Sequence, residues 1–182
     1  MNYNELDKYI SSNNIKKIII TGPQRSGTRF MTSILSDDMG YKYIDESEFD
    51  IWSYEKLKSI TMGIDGFVAH APGLAHLVNE IDNDIFIVFM RRDVADIVNS
   101  QNRINWGEIE INYIKDIYRN KFKNHTIDFT KPISEIKYQV WDIEKLNILN
   151  KYVDFNYTDL KLHKRWVDKD KRTGFNPHQV SL

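Results

Sequence analysis

The 182-residue sequence contains no cysteine and only four prolines, and its net charge is -1. Without cysteine the chain can form neither a disulfide framework nor a thiolate zinc site. The near-neutral charge argues against a general nucleic-acid-binding protein, because such proteins carry a basic excess that contacts phosphates. No apolar run approaches the roughly 18 residues of a membrane span, and the first residues lack the pattern of a signal peptide. We therefore expect no nucleic-acid or membrane partner and a cytoplasmic location.

Short apolar segments alternate with helical patterns along the chain. Strands are predicted at residues 15–21, 41–44, 66–70, 85–90 and 152–157. Helices are predicted at 5–12, 27–38, 53–62, 74–81, 108–123, 134–150 and 160–167, with one more that begins after a cap at Asp93. This alternation predicts a three-layer α/β/α fold with a central parallel sheet, as in P-loop-containing nucleoside triphosphate hydrolases. No repeat or linker divides the chain, so residues 1–182 are expected to form a single domain.

The stretch IIITGPQRSGTRFMTSIL, residues 18–35, joins the first predicted strand to a helix through a glycine-containing turn. Backbone N–H groups and the positive end of a helix converge at such a turn, which makes it an anion site. Arg25 and Arg29 add two cations to the turn, and Ser26 and Thr28 add two hydroxyl donors. The pattern therefore predicts that the turn binds phosphate groups.

The turn departs from the P-loop of magnesium-dependent nucleotide hydrolases, whose pattern is G-x-x-x-x-G-K-[ST]. Thr28 stands at the lysine position, and Arg29 stands at the Ser/Thr position that binds the metal. The strand at 85–90 is followed by Arg91 and Arg92, where those enzymes usually carry an acidic metal ligand. The sequence therefore predicts a site for a phosphorylated ligand that uses no metal.

Two motifs resemble those of the sulfotransferases that use 3′-phosphoadenosine 5′-phosphosulfate (PAPS). PQRSGTRF resembles the family's 5′-phosphosulfate loop. RDVADIVNS resembles its 3′-phosphate motif, with Arg92 and Ser100 at the arginine and serine. The similarity, to cytosolic and tyrosylprotein sulfotransferases, implies metal-independent, in-line transfer of a sulfuryl group from PAPS to a hydroxyl or amine. The product would be adenosine 3′,5′-bisphosphate.

The resemblance also implies which residues hold the cofactor. Arg25 matches the cation that contacts the leaving phosphate, and Tyr157, in NYTDLK, matches a family tyrosine near the last strand. Phe30 matches an aromatic residue that stacks on adenine, although its place on an apolar helix face also suits a core residue. The implied cofactor-binding residues are Arg25, Ser26, Gly27, Thr28, Arg29, Phe30, Arg92, Ser100, Tyr157, Arg172 and Gly174.

Two residues are candidates for the general base that would activate the acceptor. His70, in FVAHAPGLAHL, matches the histidine of the cytosolic enzymes. Glu46, in YIDESEF, lies 21 residues after Arg25, the interval at which tyrosylprotein sulfotransferases place their glutamate. Both also have structural interpretations, since a lone histidine is often a core residue and an acidic loop is often only solvated. The sequence leaves both candidates open.

Two other functions are compatible with the sequence. One is a nucleotide or small-molecule kinase with a degenerate P-loop, which would need magnesium and a carboxylate at the strand end. The other is a non-catalytic nucleotide-binding protein, since the interval from Tyr157 to Gly174 is shorter than the segment that covers cofactor and acceptor in cytosolic sulfotransferases. The acceptor could be a small molecule, a carbohydrate or a peptide, and a homo-oligomer could complete an open acceptor site.

Overall fold

The structure is a computed structural model that describes residues 1–104, 107–148, 151–161 and 163. Five strands in this part of the chain form one parallel sheet in the order β2-β3-β1-β4-β5. The strands are β1 Lys17–Thr21, β2 Lys42–Ile44, β3 Phe67–His70, β4 Phe86–Arg91 and β5 Tyr152–Asn156. Helices cover both faces of the sheet, which confirms the predicted three-layer α/β/α fold with a central parallel sheet.

Seven α-helices lie in the described part of the chain. They are α1 Tyr3–Ser12, α2 Thr28–Met39, α3 Tyr54–Thr61, α4 Val94–Arg103, α5 Glu108–Lys121, α6 Ile133–Glu144 and α7 Tyr157–Lys161. Short 3-10 turns occur at Glu46–Glu48, Pro72–His76, Val78–Glu80 and Lys145–Asn147. Each predicted strand and most predicted helices therefore exist, with ends that shift by a few residues.

Three predicted helices differ in the structure. The one predicted at 74–81 is two 3-10 turns, because Pro72 and Gly73 pack tightly in the core and a Cβ on Gly73 would lie 2.2 Å from the carbonyl oxygen of Ile51. The helix predicted at 134–150 ends at Glu144 and continues as a 3-10 turn. The last helix, predicted at 160–167, is α7, which begins earlier at Tyr157; most of the predicted range lies outside the described residues.

The two central strands are buried on both faces. Ile19, Ile87 and Phe89 pack on the side of α3 and α6, where the Phe89 ring stacks on Trp141 with ring centroids 4.2 Å apart. Alternate residues, including Ile18 and Val88, pack on the opposite side against α1 and α2. A strand covered on both faces needs apolar residues at successive positions, which explains the uninterrupted runs of β1 and β4.

Side chains cap the starts of several helices but not that of α2. Asn2 and Glu5 form a capping box at α1, and Asp93 accepts a hydrogen bond from the backbone N–H of Asp96, which confirms the predicted cap of α4. Helix α2 begins after Gly27, which has no side chain to bond the first N–H groups. These donors therefore point toward the carboxyl edge of the sheet without a side-chain acceptor.

Candidate functional site

The β1–α2 turn, residues 22–27, has a tightly constrained backbone. Gly22 and Gly27 have φ angles of 136° and 94°, and Arg25 also has a positive φ, of 73°. A Cβ at Gly22 would lie 2.8 Å from the Met90 carbonyl oxygen, and one at Gly27 would lie 2.6 Å from the ring of Tyr157. Glycine is therefore required at both positions, because β4 and α7 approach the turn closely.

The turn also holds a buried hydroxyl that lacks a partner. Ser26 is fully buried, and its Oγ makes no hydrogen bond to the described part of the protein. Buried polar atoms are almost always hydrogen-bonded, so an unpaired one beside the start of a helix is a candidate donor for a ligand oxygen.

Four of the predicted site residues come together beside the turn. Nε of Arg25 donates a hydrogen bond to Oγ of Ser100 at 3.0 Å, and Nη1 of Arg92 donates to the carbonyl oxygen of Arg25 at 2.9 Å. The Arg92 guanidinium stacks on Tyr157, 4.4 Å from the ring centroid. The structure thus places Arg25, Arg92, Ser100 and Tyr157 in one cluster that connects the turn with β4, α4 and α7.

The charge in this cluster favours an anion. Arg25 is partly buried, and no carboxylate among the described residues lies within salt-bridge distance of it. Burial, together with the charges of Arg92, Arg103 and Arg29, lowers the pKa of the Arg25 guanidinium below its ordinary value. An anion in the turn would relieve this crowding of like charges.

The other residues at the start of α2 have different environments. Nη2 of Arg29 lies 3.2 Å from Oδ1 of Asp45 and 3.8 Å from Oε1 of Glu46, so in this structure Arg29 pairs with the acidic segment after β2. Oγ1 of Thr28 lies 2.9 Å from Nε2 of His70. Phe30 is partly buried and packs against the hydrophobic cluster between the sheet and helices α1 and α2, as expected for a core residue.

The two candidate bases are neighbours at the ends of β2 and β3. Nδ1 of His70 lies 3.8 Å from Oε1 of Glu46. Burial, with a smaller effect of Arg29, lowers the pKa of His70 to about 4, so the imidazole is neutral at neutral pH. Burial raises the pKa of Glu46, and Arg29 opposes this shift. Glu46 is the more accessible of the two, with 28% of its side chain exposed against 5% for His70, which favours Glu46 as the group that meets an acceptor.

One candidate residue was missed by the sequence interpretation. Lys137, on α6, is fully buried, and its Nζ donates hydrogen bonds to Oε1 of Gln24 in the turn and to the carbonyl oxygen of Pro72. A usable signal existed, because Lys137 lies four residues after Ile133 and three before Val140, on the apolar stripe of the helix. A lysine on such a stripe is buried unless its chain reaches solvent.

Arg172 and Gly174 lie outside the described residues. Arg91 pairs with Asp142 at 2.8 Å and Asp154 at 3.1 Å, which ties β4 to α6 and β5. A cavity of about 460 Å³ opens at the opposite, amino edge of the sheet, among Lys16, Lys17 and Asp84. It contains none of the predicted site residues.

The described residues do not fit the magnesium site of a P-loop enzyme. Thr28 and Arg29 replace the lysine and the metal ligand, and β4 ends in two arginines. Across residues 1–104, 107–148, 151–161 and 163, no three histidine, aspartate or glutamate side chains are grouped so that they could hold a metal ion. In the same ranges no helix has the length and apolar composition needed to cross a membrane.

Arg25 can be tested without disturbing the backbone. We expect Arg25→Gly to weaken binding of a nucleotide by about 10- to 100-fold, the loss expected for a charged hydrogen bond. Because glycine adopts a positive φ without strain, the free energy of unfolding should not fall. Calorimetric titration and urea unfolding measure the two effects, with Lys42→Gly, on an exposed strand residue, as an affinity control. An unchanged affinity in Arg25→Gly would show that Arg25 only shapes the turn.

Comparison with known proteins gives no family. No protein-family model matches the sequence, and neither does any curated protein. Among solved structures, the chain is similar to a shikimate kinase from Acinetobacter baumannii in complex with shikimate, with 14% identity and a TM-score of 0.47 over 91% of this chain and 98% of that one. It is also similar to YorR from Bacillus subtilis in complex with phosphorylated GDP, with 15% identity and a TM-score of 0.46 over 85% and 93%. Likeness at this level concerns the fold alone.

These comparisons contradict the sulfotransferase assignment. No family model of the sulfotransferases or of any other family matches the sequence, and no curated sulfotransferase matches it either. The assignment was wrong because its motifs are short and consist of glycine, arginine and hydroxyl residues. Any phosphate-binding turn after a strand selects these residue types, whatever the reaction.

Proposed function

We propose that the protein is a nucleotide-dependent transferase of the kinase type. It binds the nucleotide phosphates in the β1–α2 turn and passes the terminal group to a small acceptor. The observation that carries this proposal is the set of donors at one point that have no anionic partner in the described chain. These are the uncapped N–H groups of α2, the buried Oγ of Ser26, and the guanidinium of Arg25, which has no carboxylate partner in the described chain.

The arrangement suits phosphoryl transfer. This reaction needs an in-line geometry and neutralisation of charge on the transferred group, more than covalent chemistry by the protein. The α2 N–H groups and Arg25 supply donors that are fixed before the ligand arrives. Glu46, at the end of β2 and in contact with Arg29 of α2, is the base that removes the proton of an acceptor hydroxyl. No protein ligand set for a metal takes part in this scheme.

Thermal unfolding with and without nucleotide tests the proposal. We expect ATP or GTP to raise the melting temperature by several degrees in the presence of EDTA, because a ligand at about 100 times its Kd adds about 2.7 kcal/mol to stability. Adenosine and guanosine, which lack phosphates, should not have this effect. Equal shifts with the nucleosides, or no shift with any nucleotide, would contradict binding through the phosphates. A strict magnesium requirement would contradict the metal-independent scheme.

A second candidate is sulfuryl transfer from PAPS, and one observation favours it independently of any family assignment. Arg92 and Ser100 both contact Arg25, so a second cation and a hydroxyl lie beside the turn, where they could bind a further phosphate such as the 3′-phosphate of PAPS. Thermal unfolding with adenosine 3′,5′-bisphosphate in EDTA distinguishes sulfuryl transfer from phosphoryl transfer. A larger shift with this compound than with ADP would favour PAPS as the donor, and the reverse order would favour phosphoryl transfer.

A further inference from the structure

The amine of Lys137 is buried without a charged partner. Its side chain has no solvent exposure, and its two acceptors, Oε1 of Gln24 and the Pro72 carbonyl oxygen at 3.3 Å, are both neutral. No carboxylate of the described chain lies within salt-bridge distance of Nζ. An ammonium group has three donors and is costly to bury unpaired, by several kcal/mol. The burial of this amine is therefore unfavourable unless another interaction compensates for it.

The surroundings of Lys137 connect it to the anion-binding turn. Gln24 lies in the turn, and Pro72 lies just after β3, so α6 brings Nζ to the turn from the face of the sheet that α3 and α6 cover. The P-loop lysine is missing from position 28, which threonine occupies. An amine from α6 thus reaches a loop that has no lysine of its own.

We propose that Lys137 supplies a further cation to this site: its ε-amine takes up a proton from solvent when a nucleotide binds and pairs with a phosphate oxygen in the turn. Gln24 is the neutral acceptor that holds the amine until the phosphate replaces it. This inference rests on the proposed function and deepens it, because it names the group that neutralises the transferred phosphoryl. The reaction itself changes no bond of Lys137 other than the gain of one N–H.

The charged groups around Lys137 do not fix its protonation state, so a bound anion can change it. Burial lowers the pKa of Lys137 to about 7, and the more distant carboxylates Glu46, after β2, and Glu110, on α5, oppose this shift. His76, in the 3-10 turn after β3, also faces the lysine, but its own pKa is lowered to about 4, mainly by burial, so it is neutral at pH 7. A phosphate brings a negative charge closer than either carboxylate and therefore raises the pKa of Lys137.

The direction in which nucleotide affinity changes with pH follows from the coupling between phosphate binding and protonation of Lys137. Above about pH 7 the free protein holds Lys137 mostly neutral, so binding must be accompanied by proton uptake. ATP is already fully ionised at about pH 8, since the last phosphate pKa is near 6, and its own protons do not interfere. We expect the ATP affinity of the wild type to fall by up to about tenfold per pH unit between about pH 8 and 9.

Calorimetric titration of ATP in EDTA tests this inference. Experiments in two buffers of different ionisation enthalpy measure the protons taken up, and we expect close to one at about pH 8 for the wild type. Lys137→Met should take up none, should bind ATP at least about tenfold more weakly, and should show no pH dependence of affinity. The substitution replaces a fully buried polar amine by an apolar side chain of similar length, so the variant should fold at least as stably as the wild type.

The matched control is Lys131→Met, which removes an exposed lysine just before α6, paired only loosely with Glu135 at 3.7 Å. It should behave as the wild type in every respect. Wild-type affinity and proton uptake in Lys137→Met would overturn the role of Lys137 while leaving nucleotide binding intact. If the wild type itself binds no nucleotide, the proposed function fails, and the role of Lys137 fails with it.

Discussion

Glu46→Gln is expected to lower turnover by about 10²- to 10⁴-fold while nucleotide affinity stays close to that of the wild type. A general base acts in the transition state, so its removal reduces kcat without weakening ground-state binding. Glutamine has the same shape and keeps an oxygen close to Arg29, as in the loose ion pair at 3.8 Å, but it cannot take a proton. Because the acceptor is unidentified, slow hydrolysis of ATP, and of PAPS in parallel, provides the first assay.

The pH profile gives an independent signature of the same role. The base must be ionised to act, and burial raises the pKa of Glu46 above its ordinary value. Turnover of the wild type should therefore fall as the pH drops through this raised pKa, at a higher pH than for an ordinary glutamate. The residual turnover of Glu46→Gln should lack this acidic limb.

Two variants serve as controls for Glu46. Glu48→Gln changes an exposed carboxylate in the same 3-10 turn, and glutamine still supports the capping interaction with Asp45, so turnover should not change. His70→Ala should cause a smaller loss than Glu46→Gln, because a neutral, buried imidazole with a pKa of about 4 is a weak base. Near-normal turnover in Glu46→Gln with a large loss in His70→Ala would give the role to His70. If both variants stay active, the base is another group.

Gly27→Ala should produce a large loss of stability, about 2–4 kcal/mol in the free energy of unfolding. Two costs combine at this position. The residue has a φ of 94°, which strains any side chain, and its Cβ would lie 2.6 Å from the ring of Tyr157. Urea unfolding measures the change. Nucleotide binding should weaken as well, because the first turn of α2 would have to move.

Gly40→Ala provides the matched control, since Gly40 also has a positive φ, of 66°, but nothing lies within 4 Å of its Cβ position. It should cost only the backbone strain, about 1 kcal/mol. The excess loss at Gly27 then measures the clash. In a Tyr157→Ala background, Gly27→Ala should cost about as much as Gly40→Ala. Equal losses of stability for the two glycine substitutions in the wild-type background would show that α7 moves aside without destabilising the protein.

The fold was largely predictable because its main signals are local. The runs III, residues 18–20, and IFIVFM are apolar at successive positions, as strands covered on both faces require, and the cap at Asp93 follows from its side chain alone. The helix predicted for the segment after Pro72 was wrong because a contact distant in sequence determines its structure. Its apolar spacing suits a helix, but the contact of Gly73 with Ile51 depends on how the segment docks.

The candidate site was predictable in part. Arg25 and Arg92 follow two neighbouring parallel strands, whose carboxyl ends meet at one edge of the sheet, so their proximity could be foreseen. Lys137 could not be placed in the same way, since its contact with Gln24 depends on the rotation and docking of α6. The reaction class was not predictable from the motif residues, because they report on charge and backbone geometry that many phosphate-binding proteins share.

The hydrogen bond from Arg92 to the carbonyl oxygen of Arg25 has a kinetic consequence. It holds the backbone of Arg25, which has a positive φ, in place before any ligand arrives, so no loop ordering has to precede encounter. Association should then be governed by diffusion and by attraction between the arginines and the phosphates, and should slow as ionic strength rises. Ligands that share a phosphate group but differ elsewhere should associate at similar rates. Their residence times, set by contacts beyond the turn, would determine which one the protein retains.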